Sequence, residues 1–191
     1  MKKLNKKGFT LIELLAVVVI LAILVTVSVP AVVKYLGTAR RETYATNALR
    51  AIDAAKTDYV NKGYTGIKYY TLDENDHDST ERNSDGRIYL NDLLEKKLNN
   101  SPYGEKLVVG STGSYIKAES TYDATTRQTT TTFSICLVDT AGNAVAAATT
   151  NASDGKITAL NLIDEATLSA DNTYANVHVS SGILVCPTIP E

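Results

Sequence analysis

Residues 14–33, LLAVVVILAILVTVSVPAVV, run for twenty positions without a charge, and this run constrains the chain more than anything else in it. A helix rising ~1.5 Å per residue needs about twenty apolar residues to cross ~30 Å of hydrocarbon. Lys2, Lys3, Lys6 and Lys7 precede the run, and only Lys34 follows it before Arg40 and Arg41. That charge bias favours a cytoplasmic amino end and an exported remainder. Glu13 stands at the mouth of the run. An acid in such a segment is costly and marks a function by default. An ordinary secretory signal is the simplest alternative. Its apolar stretch is usually shorter and ends in a small-residue cleavage site, for which the nearest match is the poor Gly37-Thr38-Ala39. An uncleaved single-span anchor is the other alternative.

The residues leading into the run read Lys6-Lys7-Gly8-Phe9-Thr10-Leu11-Ile12-Glu13. This stretch, and residues 6–34 as a whole, resemble the amino end of type IV pilins and the related pseudopilins. The resemblance implies that a prepilin peptidase cuts after Gly8, the end of a class III signal. The new terminal residue, Phe9, is then N-methylated, and the apolar helix serves as membrane anchor and filament core. Glycine lacks a Cβ, so a protease can approach the Gly8 backbone closely. Cleavage would create a charged amine four residues from Glu13, one helical turn away. That amine would pair with Glu13 of the same chain or, as the family implies, of the subunit below. A snorkelling interfacial acid is the plain alternative for Glu13. Thr26, Ser28 and Pro30 are expected to interrupt the helix, since proline removes a backbone bond and bends it. Pro30 lies where the helix of this family loosens in the filament.

Removing residues 1–8 from the 191 leaves 183, enough for one domain on a long helix. The leader holds four lysines, so the remainder has 15 basic against 21 acidic residues, a net charge of −6. That balance argues against nucleic acid as a partner. Cys136 and Cys186 are the two cysteines. In an exported chain an isolated pair reads as a disulfide, and many pilins carry a carboxy-terminal disulfide loop; two buried, reduced cysteines are the alternative.

Beyond the apolar run the pattern turns amphipathic. Ala45, Leu49, Ile52, Ala55 and Tyr59 recur at three- and four-residue spacing, with Arg50, Asp53, Lys56 and Asp58 between them. This predicts one helix from Phe9 to about Asn61, stopped by Gly63. The expected organisation is a leader at 1–8, a membrane-spanning and filament-core helix at 9–33, and an amphipathic helix at 34–62. A connecting αβ-loop with a short helix follows at 63–105, then a β-sheet head with a disulfide loop at 106–191. Within the connection, residues 81–92 resemble a calcium loop, with Glu81, Asn83, Asp85 and Asp92 as the oxygen donors. Glu81 and Asp92 both depart from that pattern. A turn at Ser84-Asp85-Gly86, a short strand at 87–90 and a capped helix at 92–98 is the reading preferred here. In the head, strands are expected at 106–109, 114–120, 130–139, 144–149, 156–160, 174–179 and 183–185, with a short helical piece at 162–168.

His77 and His178 stand alone, and the sequence shows no nucleophile elbow, phosphate-binding glycine loop, zinc spacing or paired-cysteine redox motif. The chain thus reads as α+β in the type IV pilin fold: a long amino-terminal α-helix packed on an antiparallel β-sheet head. A structural role without enzymatic activity is expected, with no cofactor beyond the calcium candidate. The expected partners are other pilin subunits in a homo-polymer, the prepilin peptidase, an inner-membrane assembly platform and membrane lipid. The expected location is the cytoplasmic membrane, as a single-pass chain, and then a cell-surface pilus serving adhesion or motility. The second role that fits is a minor or tip pilin, or a secretion or competence pseudopilin, whose head binds a surface, DNA or a protein.

Overall fold

The computed structural model describes residues 9–72, 88–89, 98–110, 112–153, 156–174, 178–179 and 182–190. The chain divides after Ala39 into two units, each described by itself below. One helix, α1 (Leu11–Asn61), runs through both. It is followed by β1 (Ile67–Thr71), β2 (Ile88–Tyr89), β3 (Tyr115–Asp123) and β4 (Gln128–Val138). Then come β5 (Ala144–Val145), β6 (Ala147–Thr150), β7 (Ile157–Asn161) and β8 (Ile163–Asp164). The last strands are β9 (Thr173–Tyr174), β10 (His178–Val179) and β11 (Gly182–Ile183). The architecture is α+β and pilin-like, a long apolar amino-terminal helix with a largely antiparallel sheet.

In the second unit the main sheet has the order β2-β1-β3-β4-β5-β9, with β8 also on β4. All its pairs are antiparallel except β1 with β2, where Tyr70 faces Ile88. The β3–β4 ladder is the longest, from Tyr115 opposite Cys136 to Asp123 opposite Gln128. Strand β4 alternates as its sequence suggests, but both of its faces are covered toward its end. Phe133, Ile135 and Leu137 belong to a core shared with α1, while Cys136 and Val138 belong to a second core on the opposite face.

The helix contributes Tyr44, Ala48, Ala51, Ile52, Ala55 and Tyr59 to the first core. Three alanines in that stripe leave room for the bulk of Tyr70, Ile116, Phe133 and Ile135 from the sheet. The stripe therefore centres on Ala48 and Ala51, and Leu49, expected to be buried, lies at the edge with 37% of its surface exposed. The helix ends as its sequence predicts, and the geometry is a Schellman stop. Gly63 has φ 61°, its N–H donates to Val60 O at 3.1 Å, and Tyr64 N–H donates to Tyr59 O at 3.1 Å. The Tyr59 and Tyr64 rings meet edge-on at 5.9 Å, the apolar contact that accompanies this stop.

Several expectations are corrected. The stretch after Gly63, read as a connection with a short strand at 87–90 and a short helix, has β2 within that expected strand and also supplies β1, which pairs with β3 along its whole length. Residues 106–109 form no strand; Lys106 and Leu107 make single bridges to Asn100 and Asp139. Residues 162–168 are β8 followed by a 3₁₀ turn, Glu165–Thr167. Residues 81–87 and 90–97 lie outside the described residues, and with them Glu81, Asn83, Asp85, Asp92 and the expected short helix, apart from Leu98, which is buried.

A buried carboxylate fastens the loops below β4. Asp139 Oδ2 accepts from Ser101 Oγ at 2.6 Å and Asn143 Nδ2 at 2.7 Å, while its Oδ1 accepts from the Ala141 and Asn143 N–H groups. Four donors on one carboxylate leave its charge solvated by protein dipoles, which is what makes the burial tolerable.

Candidate functional site: an uncovered amino-terminal helix

None of the described residues of the first unit is buried. Every large apolar side chain from Leu11 to Leu36 is exposed, on all sides of the helix. This is the one helix among the described residues long and apolar enough to cross a membrane. A helix apolar all round needs cover all round, and solvated monomers rarely leave patches beyond a few hundred Å² uncovered. The polar groups within it are turned inward on the backbone. Thr26 Oγ1 donates to Ala22 O at 2.8 Å and Ser28 Oγ to Leu24 O at 2.7 Å. Such back-bonding satisfies hydroxyls where hydrocarbon offers no partner. The helix continues through Pro30, so the interruption expected at Thr26, Ser28 and Pro30 does not break it. Proline has no N–H to give back to Thr26 O, so the ladder lacks one bond there.

At the start of the helix, Phe9 and Thr10 are outside the helical backbone, and Phe9 is 87% exposed. Thr10 and Glu13 form a reciprocal pair. The Thr10 N–H and hydroxyl both donate to Glu13 Oε2 at 2.8 Å, and the Glu13 N–H donates to Thr10 Oγ1 at 3.3 Å. This is a capping box, in which side chains satisfy the donors that a helix start leaves without partners. The helical ladder begins with Leu14 N–H on Thr10 O at 3.2 Å. Sequence reasoning placed Glu13 correctly at the mouth of the span but missed Thr10. The signal was present as Thr10-Leu11-Ile12-Glu13, the T-x-x-E pattern ahead of an apolar run.

In the second unit, Cys136 and Cys186 are joined, with Cα atoms 5.9 Å apart and a sequence separation of 50. The bridge ties central β4 to a tail without regular structure, not to a last strand, and Ile189 of that tail is buried in the same core. Other charged groups of the unit are engaged in fold contacts. Lys56 pairs with Glu165 across from the Phe133 ring, and Asp58 accepts from Tyr70 Oη at 3.2 Å and pairs with Lys62 at 2.7 Å. Gly8 and His77 lie outside the described residues, and His178 is in β10, paired with Ile183.

Comparison with known proteins bears on the first unit. The model of the prokaryotic N-terminal methylation motif matches residues 3–29. No curated protein and no solved structure matched the chain. The matched segment resembles the signal that opens type IV pilin and pseudopilin precursors, and its residues 9–29 fall on the capped start and the uncovered part of the helix.

Proposed function

From a chain opening with that signal, we propose a structural subunit of a type IV pilus or related filament. It is inserted through α1 with its amino end in the cytoplasm, cut by prepilin peptidase after Gly8, methylated at Phe9 and polymerised with other pilin subunits through the same helix. The observation that carries this is the match of the methylation motif to a helix exposed on every side. A bilayer covers such a surface before assembly, and neighbouring copies cover it in a filament. Glu13 supplies the charge that pairs with the Phe9 amine of a neighbour and fixes subunit register. Pro30 gives a point at which the helix loosens during packing. The head, built on a disulfide and two cores, forms the outward surface.

Processing is the first test. Intact-mass measurement on membrane-bound protein is expected to show a chain beginning at Phe9 with one added methyl group, and Gly8→Val is expected to abolish cleavage. A wild-type chain retaining residues 1–8 in cells that possess the peptidase would refute the proposal. Abundance in sheared surface filaments then separates a principal subunit from a minor one.

A further inference from the structure

We infer that Thr10 is a positioning residue for leader removal. It stops the helix at the position where Phe9 stays outside it, and so keeps the residue after the scissile bond out of the helical ladder. This rests on the proposed cleavage after Gly8.

The argument is one of hydrogen-bond alternatives. If α1 continued toward the leader, the Glu13 N–H would donate to the carbonyl of Phe9, four residues back. In the structure Thr10 Oγ1 takes that N–H, and the Thr10 N–H goes to the Glu13 carboxylate. Both ends of the exchange exclude Phe9 from the helical ladder. Around Thr10, Phe9, Leu11 and Ile12 are tolerated in helices and Lys6 and Lys7 are good helix formers; Gly8 is the one poor helix former in this stretch, and it makes no side-chain hydrogen bond that could end the helix after Phe9. A peptidase acts on backbone that is exposed and free of helical bonds, and Phe9 meets that description with 87% of its surface exposed. Glu13 thereby has a role within its own chain, separate from any partner it finds in an assembly.

The test is the rate of leader removal from the full-length precursor in phospholipid vesicles, mixed with membranes from cells expressing a prepilin peptidase. Four chains are compared: wild type, Thr10→Val, Thr10→Ser and Thr10→Asn. Valine keeps the shape of threonine and loses the cap, whereas asparagine caps without sharing its shape. Loss of an N-cap shifts the capped fraction by about fivefold. Thr10→Val is therefore expected to be cut about fivefold more slowly, with serine and asparagine near the wild-type rate. In micelles the Phe9 carbon-13 shifts are expected to move toward helical values in Thr10→Val alone. Equal rates for wild type and Thr10→Val would overturn the inference. So would slow cleavage of Thr10→Asn, which would mean that the peptidase reads the threonine shape itself. A wild-type precursor that is never cut would instead overturn the parent reading.

Discussion

The two units use one helix in opposite ways. Before Ala39 it is at its most apolar and buries none of that surface; after Arg40 it is studded with charges and buries a narrow stripe completely. The more hydrophobic half has no cover among the described residues, while the less hydrophobic half has a sheet. Hydropathy alone thus does not say where a core is; it says how much cover a segment needs. In the head that cover is internal and can be measured as stability. In the amino-terminal unit the proposed function has it come from outside, and then it shows itself as membrane retention and assembly.

Mutations can break this contrast from either side, and the disulfide should give the largest effect. Closing a 50-residue separation restricts the unfolded head by about 4 kcal/mol in the chain-entropy model. Replacing both cysteines by serine should lower the thermal midpoint by roughly 10 °C and leave membrane retention unchanged. Calorimetry with a parallel membrane fractionation checks both halves. An unchanged midpoint would show that the second core holds without the bridge.

A matched pair of isoleucines sharpens the comparison. Ile52 is fully buried and Ile20 is 58% exposed, on the same helix. Ile52→Ala should cost the head about 3 kcal/mol, within the ~2–5 usual for such truncations. Ile20→Ala should not move the head's unfolding midpoint. Denaturant titration of the two variants under one set of conditions gives the answer, and equal shifts would erase the distinction between the units.

The smallest effect appears only in alkali. Burial, then the neighbouring Tyr69, pushes the Tyr115 phenol up to about 12. Burial also raises Tyr44 and Tyr70, with the carboxylates of Asp139 and Asp58 adding to it. A phenol whose value is higher in the folded head favours folding fully below its ordinary value near 10. That contribution disappears as pH rises through the folded value. The head should therefore lose stability from about pH 10 upward, and phenolate absorbance should show a late fraction of the 11 tyrosines titrating together with unfolding. All tyrosines ionising together near pH 10 in a still-folded head would contradict the burial of these three.

The sequence made some of this legible because the cause was local. The apolar run, Gly63 as a helix stop and the alternation of β4 each depend on a few neighbouring residues. The bridge was readable because only two cysteines exist to be paired. What escaped depended on partners far away. Strand β1, with tyrosines among polar neighbours, is a strand because β3 lies beside it. Leu49 lost its place in the core to alanines because the sheet already supplies the bulk. Asp139 reads in sequence as the end of the strand at 130–139, and its role as a buried carboxylate depends on Ser101, 38 positions earlier. The calcium candidates fall outside the described residues, and the role of Thr10 is overshadowed in the sequence by the charge of Glu13.

The central claim is that the uncovered helix is completed by other copies, registered through Glu13, and that the head folds without it. The Glu13 carboxylate makes hydrogen bonds only with Thr10 among the described residues. The direct measurement is filament number and length, by electron microscopy, in cells whose only copy of this chain carries Glu13→Ala. The account expects an inserted, normally folded subunit with the disulfide intact and few or no filaments. Filaments of normal number and length built from that variant would contradict it.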